Sequence, residues 1–278
     1  MMTYKTILVH MDDSKHCAAR VSLAARMAGD FAAHLIGLYA TDPFELYGLT
    51  DWSYAEKLTQ YQRTAEERKV GAHELLHAQA SAQGIDGVEF RSADTMTVEA
   101  VILHARYADL LVIGQTDPGE PSGVAPAFPG LVALSVGRPV LVVPYYAQAF
   151  PRVGQNLLVA WSPAREAARA VTDALPFLKK AKKVVVMCVN PAVARDEHGE
   201  VPGADIALYL ARHGIQVEVM QTHTEIEVGD ELLSRAFDLE IDLIVMGAYG
   251  HSRLREVVLG GVTQSMLKHM TAPVLMSH

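Results

Sequence analysis

Cysteine is nearly missing from this chain: 278 residues carry only Cys17 and Cys188. Nothing in that pair suggests a disulfide framework. Cys188 sits in the apolar run VVVMCV and reads as a small buried hydrophobe. Cys17 follows a strand-to-turn junction and is expected to be the more accessible of the two. Long hydrophobic runs are missing too, since no apolar stretch approaches the roughly 18 residues that a membrane span requires. The opening MMTYKT is short and polar, so no signal peptide is expected. A dense basic tract is also lacking. The strongest, KKAKK at 179–183, stands at an expected helix end, where cations favour the negative pole of the dipole. With a net charge of −8, the chain has no electrostatic footprint for nucleic acid. A cytoplasmic protein without nucleic-acid or membrane partners follows as the expectation. Three catalytic signatures are absent as well: no G-x-S-x-G elbow, no GxxxxGK[ST] loop and no CxxC.

What is present is a pattern written twice. KTILVHMDDSKHCAARVSLAARMA near the start parallels QNLLVAWSPAREAARAVTDALPFL, about 150 residues on. YADLLVIG (107–114) parallels EIDLIVMG (240–247), and GRPVLVVP (137–144) parallels TAPVLMSH (271–278). The later offsets are about 133, so the second copy is shorter in its middle. A long helix is expected from about Tyr54 to Ala82 in the first copy, and only a short one near Ala204 to His213 in the second. The boundary falls in PYYAQAFPRVGQ, whose prolines and glycine interrupt any periodicity. This gives two domains, 1–147 and 148–278. The strands are Val/Ile/Leu runs without clean alternation, the pattern of strands buried on both faces. The fold class is therefore α/β: two tandem doubly wound domains, each a five-stranded, mostly parallel sheet with helices on both faces. Ligands in such sheets bind beyond the carboxyl ends of the strands.

The candidate site lies in GAYGHSRLREVVLGGVT, 247–263. Glycines let backbone amides approach an anion, and a helix starting near Gly261 would turn free N–H groups toward it. Thr263 adds a hydroxyl, and His251 lies inside the loop. The same glycines would equally serve to shape turns. G-x2-G-x9-G at Gly247, Gly250 and Gly260, after an apolar strand and before APVL, resembles the universal stress protein family. So do the opening ILVHMDDS and the closing strands GRPVLVVP and HMTAPVLMSH. That resemblance implies an adenine-nucleotide site, ATP with or without Mg, in a stress-response sensor or regulator that is not an enzyme beyond slow ATP hydrolysis. It also implies pairing of the two closing strands, so that one chain mimics a dimer; a homodimer of whole chains stays open.

Carried onto this sequence, the family site is split. The second copy keeps the glycine loop, and the resemblance assigns Trp161, Ser162, Val189, Met246, Gly247, Gly250, Gly260, Gly261, Val262 and Thr263 to the nucleotide. Ser162 stands where the family has an acid, and Gly261 where it commonly has Ser or Thr. Trp161 is expected either to stack on a base or to block the pocket. The first copy keeps the acid, Asp12, but its loop, PGEPSGVAPAFPG at 118–130, carries four prolines and no matching cradle. That loop is read as a cover over the strand ends or as filler of a lost site. The competing reading is a non-nucleotide interaction or small-ligand protein with both sites decayed. Smaller expectations complete the picture. His10 is read as a satisfied core histidine, and Asp13 as an N-cap partner with Ser14. His73 and His77, in H-E-x-x-H, form a weak metal candidate that lacks a third ligand.

Overall fold

Strands form where the Val/Ile/Leu runs lie. The computed structural model describes residues 3–40, 42, 53–146, 149–191, 201–250 and 260–278, with 53–57 in backbone only. The first copy runs β1 (Thr6–Met11), α1 (Cys17–Phe31), β2 (His34–Ala40), α2 (Ser53–Ala82), β3 (Val88–Ala93), α3 (Thr97–Ala105), β4 (Leu110–Gly114), α4 (Phe128–Ser135) and β5 (Val140–Val143). The second runs β6 (Asn156–Ala160), α5 (Arg165–Asp173), α6 (Leu175–Leu178), β7 (Lys183–Val189), α7 (Ala204–Arg212), β8 (Glu218–Thr222), α8 (Val228–Asp238), β9 (Leu243–Gly247), α9 (Gly261–His269) and β10 (Val274–Ser277). The boundary placed between 147 and 148 falls on two residues outside the described set, between β5 and β6.

All ten strands make one sheet, in the order β3-β2-β1-β4-β5-β10-β9-β6-β7-β8. Within each copy every pair is parallel, and the first strand has the second on one side and the fourth on the other. That reversal is the switch point of a doubly wound sheet. Alternate residues feed two cores. Ile7, Val9 and Met11 pack with α1, α2, α5, α6 and α7, whereas Leu8 packs with α3, α4, α8 and α9. The outermost strands, β3 and β8, are only partly buried and carry Glu89, Arg91, Glu218 and Gln221. Charged edges of this kind discourage further strand pairing. The recurring Asp of YADLL and EIDLI has a fold role. Asp109 accepts the backbone N–H groups of Lys5 and Thr6, at 2.7 and 3.0 Å. Asp242 accepts those of Gly154, Gln155 and Asn156. Each carboxylate ties the entry of its copy's first strand to the fourth.

The two half-sheets join through one antiparallel pairing, β5 with β10, in which Val142 faces Val274, Leu141 faces Leu275 and Val140 faces Met276. On one side of this seam Tyr4, Phe31 and Phe177 pack edge to face, with centroids 5.0 to 5.5 Å apart. Lys180, from the KKAKK run, lies 4.5 Å over the Phe31 ring and hydrogen-bonds the Asp30 carbonyl. On the other side Gln115 donates to the carbonyls of Leu267 and Lys268 in the second copy. Leu141 and Leu275 are fully buried in a core shared by both copies. Leu141→Ala and Leu275→Ala are each expected to cost about 2–5 kcal/mol. Because the two side chains occupy one register pair, the double variant should cost less than the sum. Urea unfolding of the four proteins checks this; strict additivity would contradict a shared core at the seam.

Candidate functional site

The carboxyl ends of β6, β7 and β9 open onto a cleft of about 230 Å³. All ten residues assigned from the second copy line it: Trp161, Ser162, Val189, Met246, Gly247, Gly250, Gly260, Gly261, Val262 and Thr263. Trp161 extends β6 by donating its N–H to the Met187 carbonyl at 2.9 Å, and its ring also packs on the core, so it forms a wall of the cleft. Thr263, nearly fully buried, accepts the Tyr249 N–H at 3.2 Å and ties the strand-end turn to the start of α9. Its hydroxyl is therefore already engaged in the fold. His251 and the rest of 251–259 lie outside the described residues.

The glycines divide into two kinds. A Cβ on Gly247 would stand 2.6 Å from the Ala167 nitrogen, so this glycine is required by the passage of α5 across the strand end. Gly260 and Gly261 meet no such contact among the described residues. Gly260 has φ −55° and ψ 134°, open to any residue. Among the described residues, the nearest atom to a Cβ there is the Tyr249 Cα at 3.9 Å, and Gly261 has nothing within 4 Å. Among the described residues, their missing side chains leave space beside the first N–H groups of α9, which have no partner within the helix.

Glu166, which the sequence reading passed over, borders the same space. It sits in the first turn of α5, an ordinary place for an acid, and so gave no signal of its own. Its side chain is buried, with Oε2 3.7 Å from where a Gly250 Cβ would stand. Burial works to raise its pKa, but the Arg165 guanidinium, donating at 2.7 Å, and its own N–H hold the carboxyl below its ordinary value. Among the described residues that line the cleft it is the one titratable side chain.

The equivalent region of the first copy is a larger cleft of about 760 Å³. Asp12 lines it, yet this acid is committed internally. Its Oδ1 accepts the Ser14 N–H at 3.1 Å and hydroxyl at 2.5 Å, and its Oδ2 lies 2.9 Å from Arg20 Nη2. Burial favours the neutral acid, but Arg20, His10 and Ser14 together hold the Asp12 pKa at about 2. Arg20 is itself buried and donates from Nε to the His10 carbonyl at 2.8 Å. Gly114 makes room for it, since a Cβ there would lie 2.3 Å from Nη1. The Pro-rich loop forms one wall through Pro121 to Ala125, which agrees with a cover.

Three expectations are corrected here. Asp13 does not cap α1: the N-cap is His16, without a side-chain cap bond. Asp13 instead accepts the Tyr39 hydroxyl at 2.9 Å and Arg68 at 3.2 Å, because α1 starts one turn later than the DDS turn suggested. His10 is buried but not satisfied. Neither ring nitrogen has a hydrogen-bond partner among the described residues, and the ring lies against Phe128 at 5.0 Å. Cys17 is buried like Cys188, being the first residue of α1 and facing the core. His73 and His77 stack with centroids 4.4 Å apart, and His73 rests on Phe90. Among the described residues no third His, Cys, Asp or Glu completes a metal-holding group with them.

His10 makes acid sensitivity predictable. Burial lowers its pKa from 6.5 to about 4, so the folded chain keeps it neutral while the unfolded chain protonates it. Stability is thus intact above pH 6.5 and declines as pH falls toward 4, by about 3 kcal/mol in all. Asp12 adds a further loss below its unfolded value of 3.8. His10→Leu should flatten the loss between pH 6.5 and 4, as read by urea unfolding across that range. An unchanged slope would contradict a neutral buried imidazole.

Comparison with known proteins agrees with this architecture. The model of the Universal stress protein family matches residues 3–144 and 155–278. Universal stress protein Slr1230 from Synechocystis sp. is 36% identical over 72 residues, covering 26% of this chain and 24% of that protein. Universal stress protein MJ0577 from Methanocaldococcus jannaschii is 39% identical over 46 residues, 16% of this chain and 28% of its own length. The chain thus spans about a quarter of the length of each of these relatives. The crystal structure of a universal stress protein from Archaeoglobus fulgidus superposes with a TM-score of 0.73 at 16% identity, covering 98% of this chain and 97% of that one. With both copies matched across nearly their whole length, the chain belongs to the universal stress protein family as a tandem of two family domains.

Proposed function

We propose that this chain binds an adenine nucleotide, ATP with or without Mg, in the second-domain cleft, and acts as a cytoplasmic sensor or regulator in the stress response rather than as an enzyme. One observation carries the reading: α9 begins at the cleft, and its first N–H groups lie beside Gly260 and Gly261, where among the described residues neither packing nor backbone requires glycine. Trp161, Val189 and Met246 supply an apolar wall suited to a base. A space of about 230 Å³ is small for a whole nucleotide, so the phosphates would run outward along the α9 terminus. Among the described lining residues Glu166 is the one charged side chain, whereas fast phosphoryl transfer calls for a positioned nucleophile and charge-neutralising groups. No helix among the described residues is long and apolar enough to cross a membrane.

Glu166 opposes this ligand. A carboxylate beside the phosphate path repels it, and Ser162 in place of the family acid offers the ribose or base a neutral hydroxyl where a charged acceptor is expected. Wild-type affinity is therefore expected to be modest, and Glu166→Gln should tighten Mg-ATP binding by about tenfold, roughly 1.4 kcal/mol. Gly260→Val, compatible with the backbone there, should weaken it by at least about tenfold while leaving the ligand-free melting temperature within a degree or so. Calorimetry and thermal shift with millimolar Mg-ATP read both effects. If neither the wild type nor Glu166→Gln responds, the nucleotide reading fails. Gly247 is unsuitable for this test, because any side chain there collides with α5.

A further inference from the structure

We propose that the first-domain cleft is a second binding site, independent of the nucleotide reading, and that it takes a phosphate-free organic cation with an aromatic body, of which an arylethylamine is the simplest case. The cleft lies beyond β1, β2 and β4 at the switch point, and its volume of about 760 Å³ falls within the range of small-molecule sites. Size alone would not identify a ligand. The chemistry of the floor and of the helix that closes the cleft does.

The floor holds an unanswered polar group. His10 is 0% exposed, lines the cleft, and has two ring nitrogens without a hydrogen-bond partner among the described residues. Buried polar atoms are satisfied in the great majority of cases, and with no partner among the described residues the cleft beside the ring is where one would enter. The Asp12 carboxylate, 4.0 Å from Nδ1, favours the tautomer with the proton on that nitrogen. Nε2 is then an acceptor, and its natural partner is a donor such as an ammonium or a ring N–H.

The charge balance points the same way. Asp12, Asp13 and Asp42 all line the cleft. Of the two nearby guanidiniums, Arg20 is taken by Asp12 and Arg68 by Asp13. Asp42 has the Thr97 backbone N–H on one oxygen, at 2.6 Å, and no ion-pair partner among the described residues. A cation is therefore favoured and a phosphate is not. The helix at this end confirms the exclusion by contrast with α9: α4 has Pro129 in its first turn and buried Phe128 at its start. Proline removes one of the few N–H groups that could meet an anion. The walls offer Tyr39, Met96, Val98, Val124 and Phe128 to the body of the ligand.

Tryptamine is the probe, titrated into the full chain by calorimetry while the His10 ring carbon and proton resonances are followed by NMR. Saturable binding is expected, with a dissociation constant below about 1 mM and a shift of the His10 resonance. Its neutral analogue tryptophol should bind at least about tenfold more weakly, and the anion indole-3-acetate more weakly still. Thr64→Trp, on the half-buried face of α2 that lines the cleft, should abolish tryptamine binding without lowering the melting temperature. Asp42→Asn, which keeps an acceptor for Thr97, should weaken it about fivefold or more. Gly260→Val should leave tryptamine untouched, so loss of the nucleotide site and loss of this one are read separately. No saturable binding, binding indifferent to Thr64→Trp, or equal affinity for tryptophol would each overturn the proposal. An unmoved His10 resonance would also do so, by showing that water alone serves the imidazole.

Discussion

The antiparallel pairing of β5 with β10 is the constraint from which the rest of the molecule follows. Each half-sheet would otherwise end in an apolar edge, VLVV on one side and VLMS on the other, with unpaired backbone groups. Joining the two edges satisfies both, and the hand of the join fixes the geometry of function. All strands within a copy are parallel, so an antiparallel seam points the carboxyl ends of the two copies in opposite directions. The two clefts must then open at opposite ends of the sheet. No residue of one can complete the other, and Asp12 cannot stand in for the acid that the second cleft lacks.

Within that frame the copies diverge through a few substitutions at matched positions. Arg20 of the first copy corresponds to Ala170 of the second, and His16 to Glu166. In the first copy the long guanidinium reaches the strand end, takes Asp12, and needs Gly114 to be small. In the second copy no such side chain exists, so α5 itself passes closer and Gly247 makes room for the backbone of Ala167. One glycine at one repeat position thus serves two different contacts, and neither contact involves a ligand. Breaking the Arg20–Asp12 pair on one side would leave an uncompensated buried charge, which costs about 3–5 kcal/mol. That commitment explains why the acid that matches the family pattern is no free ligand group.

The repeat, the succession of strands and helices along the chain and the tandem architecture were legible because they rest on local signals: apolar runs, turn residues and matched spacing. The ten second-domain residues came from the family resemblance, and their lining of one cleft fits the way strand ends and a glycine loop meet at the switch point of a doubly wound sheet. What was not legible depends on side-chain reach. Nothing in the spacing of Arg20 says that it extends past α1 to His10 and Asp12. Glu166 looked like an ordinary first-turn acid, and its approach to Gly250 exists only because β9 and α5 lie side by side. Asp13 was misread because DDS resembles a cap, whereas α1 begins at Cys17 and Asp13 turns outward to Tyr39 and Arg68. Gly247 lines the cleft, and its closeness to α5, which by itself requires a glycine, could not be read from the loop's spacing.

Opposed clefts also set how ligands at the two ends can influence each other. A ligand in one touches nothing in the other, so any coupling must pass through a change of state that both sites sense. The seam offers little freedom for such a change. Its paired leucines are fully buried, the Tyr4–Phe31–Phe177 cluster brackets one side, and Gln115 bridges the other. Rigid joining makes global stability the shared quantity. Each ligand that binds only the folded chain adds its own RT ln(1 + [L]/Kd) to one common unfolding equilibrium. Two independent sites on such a frame would register two chemical signals in the persistence of a single folded protein, without either altering the affinity of the other.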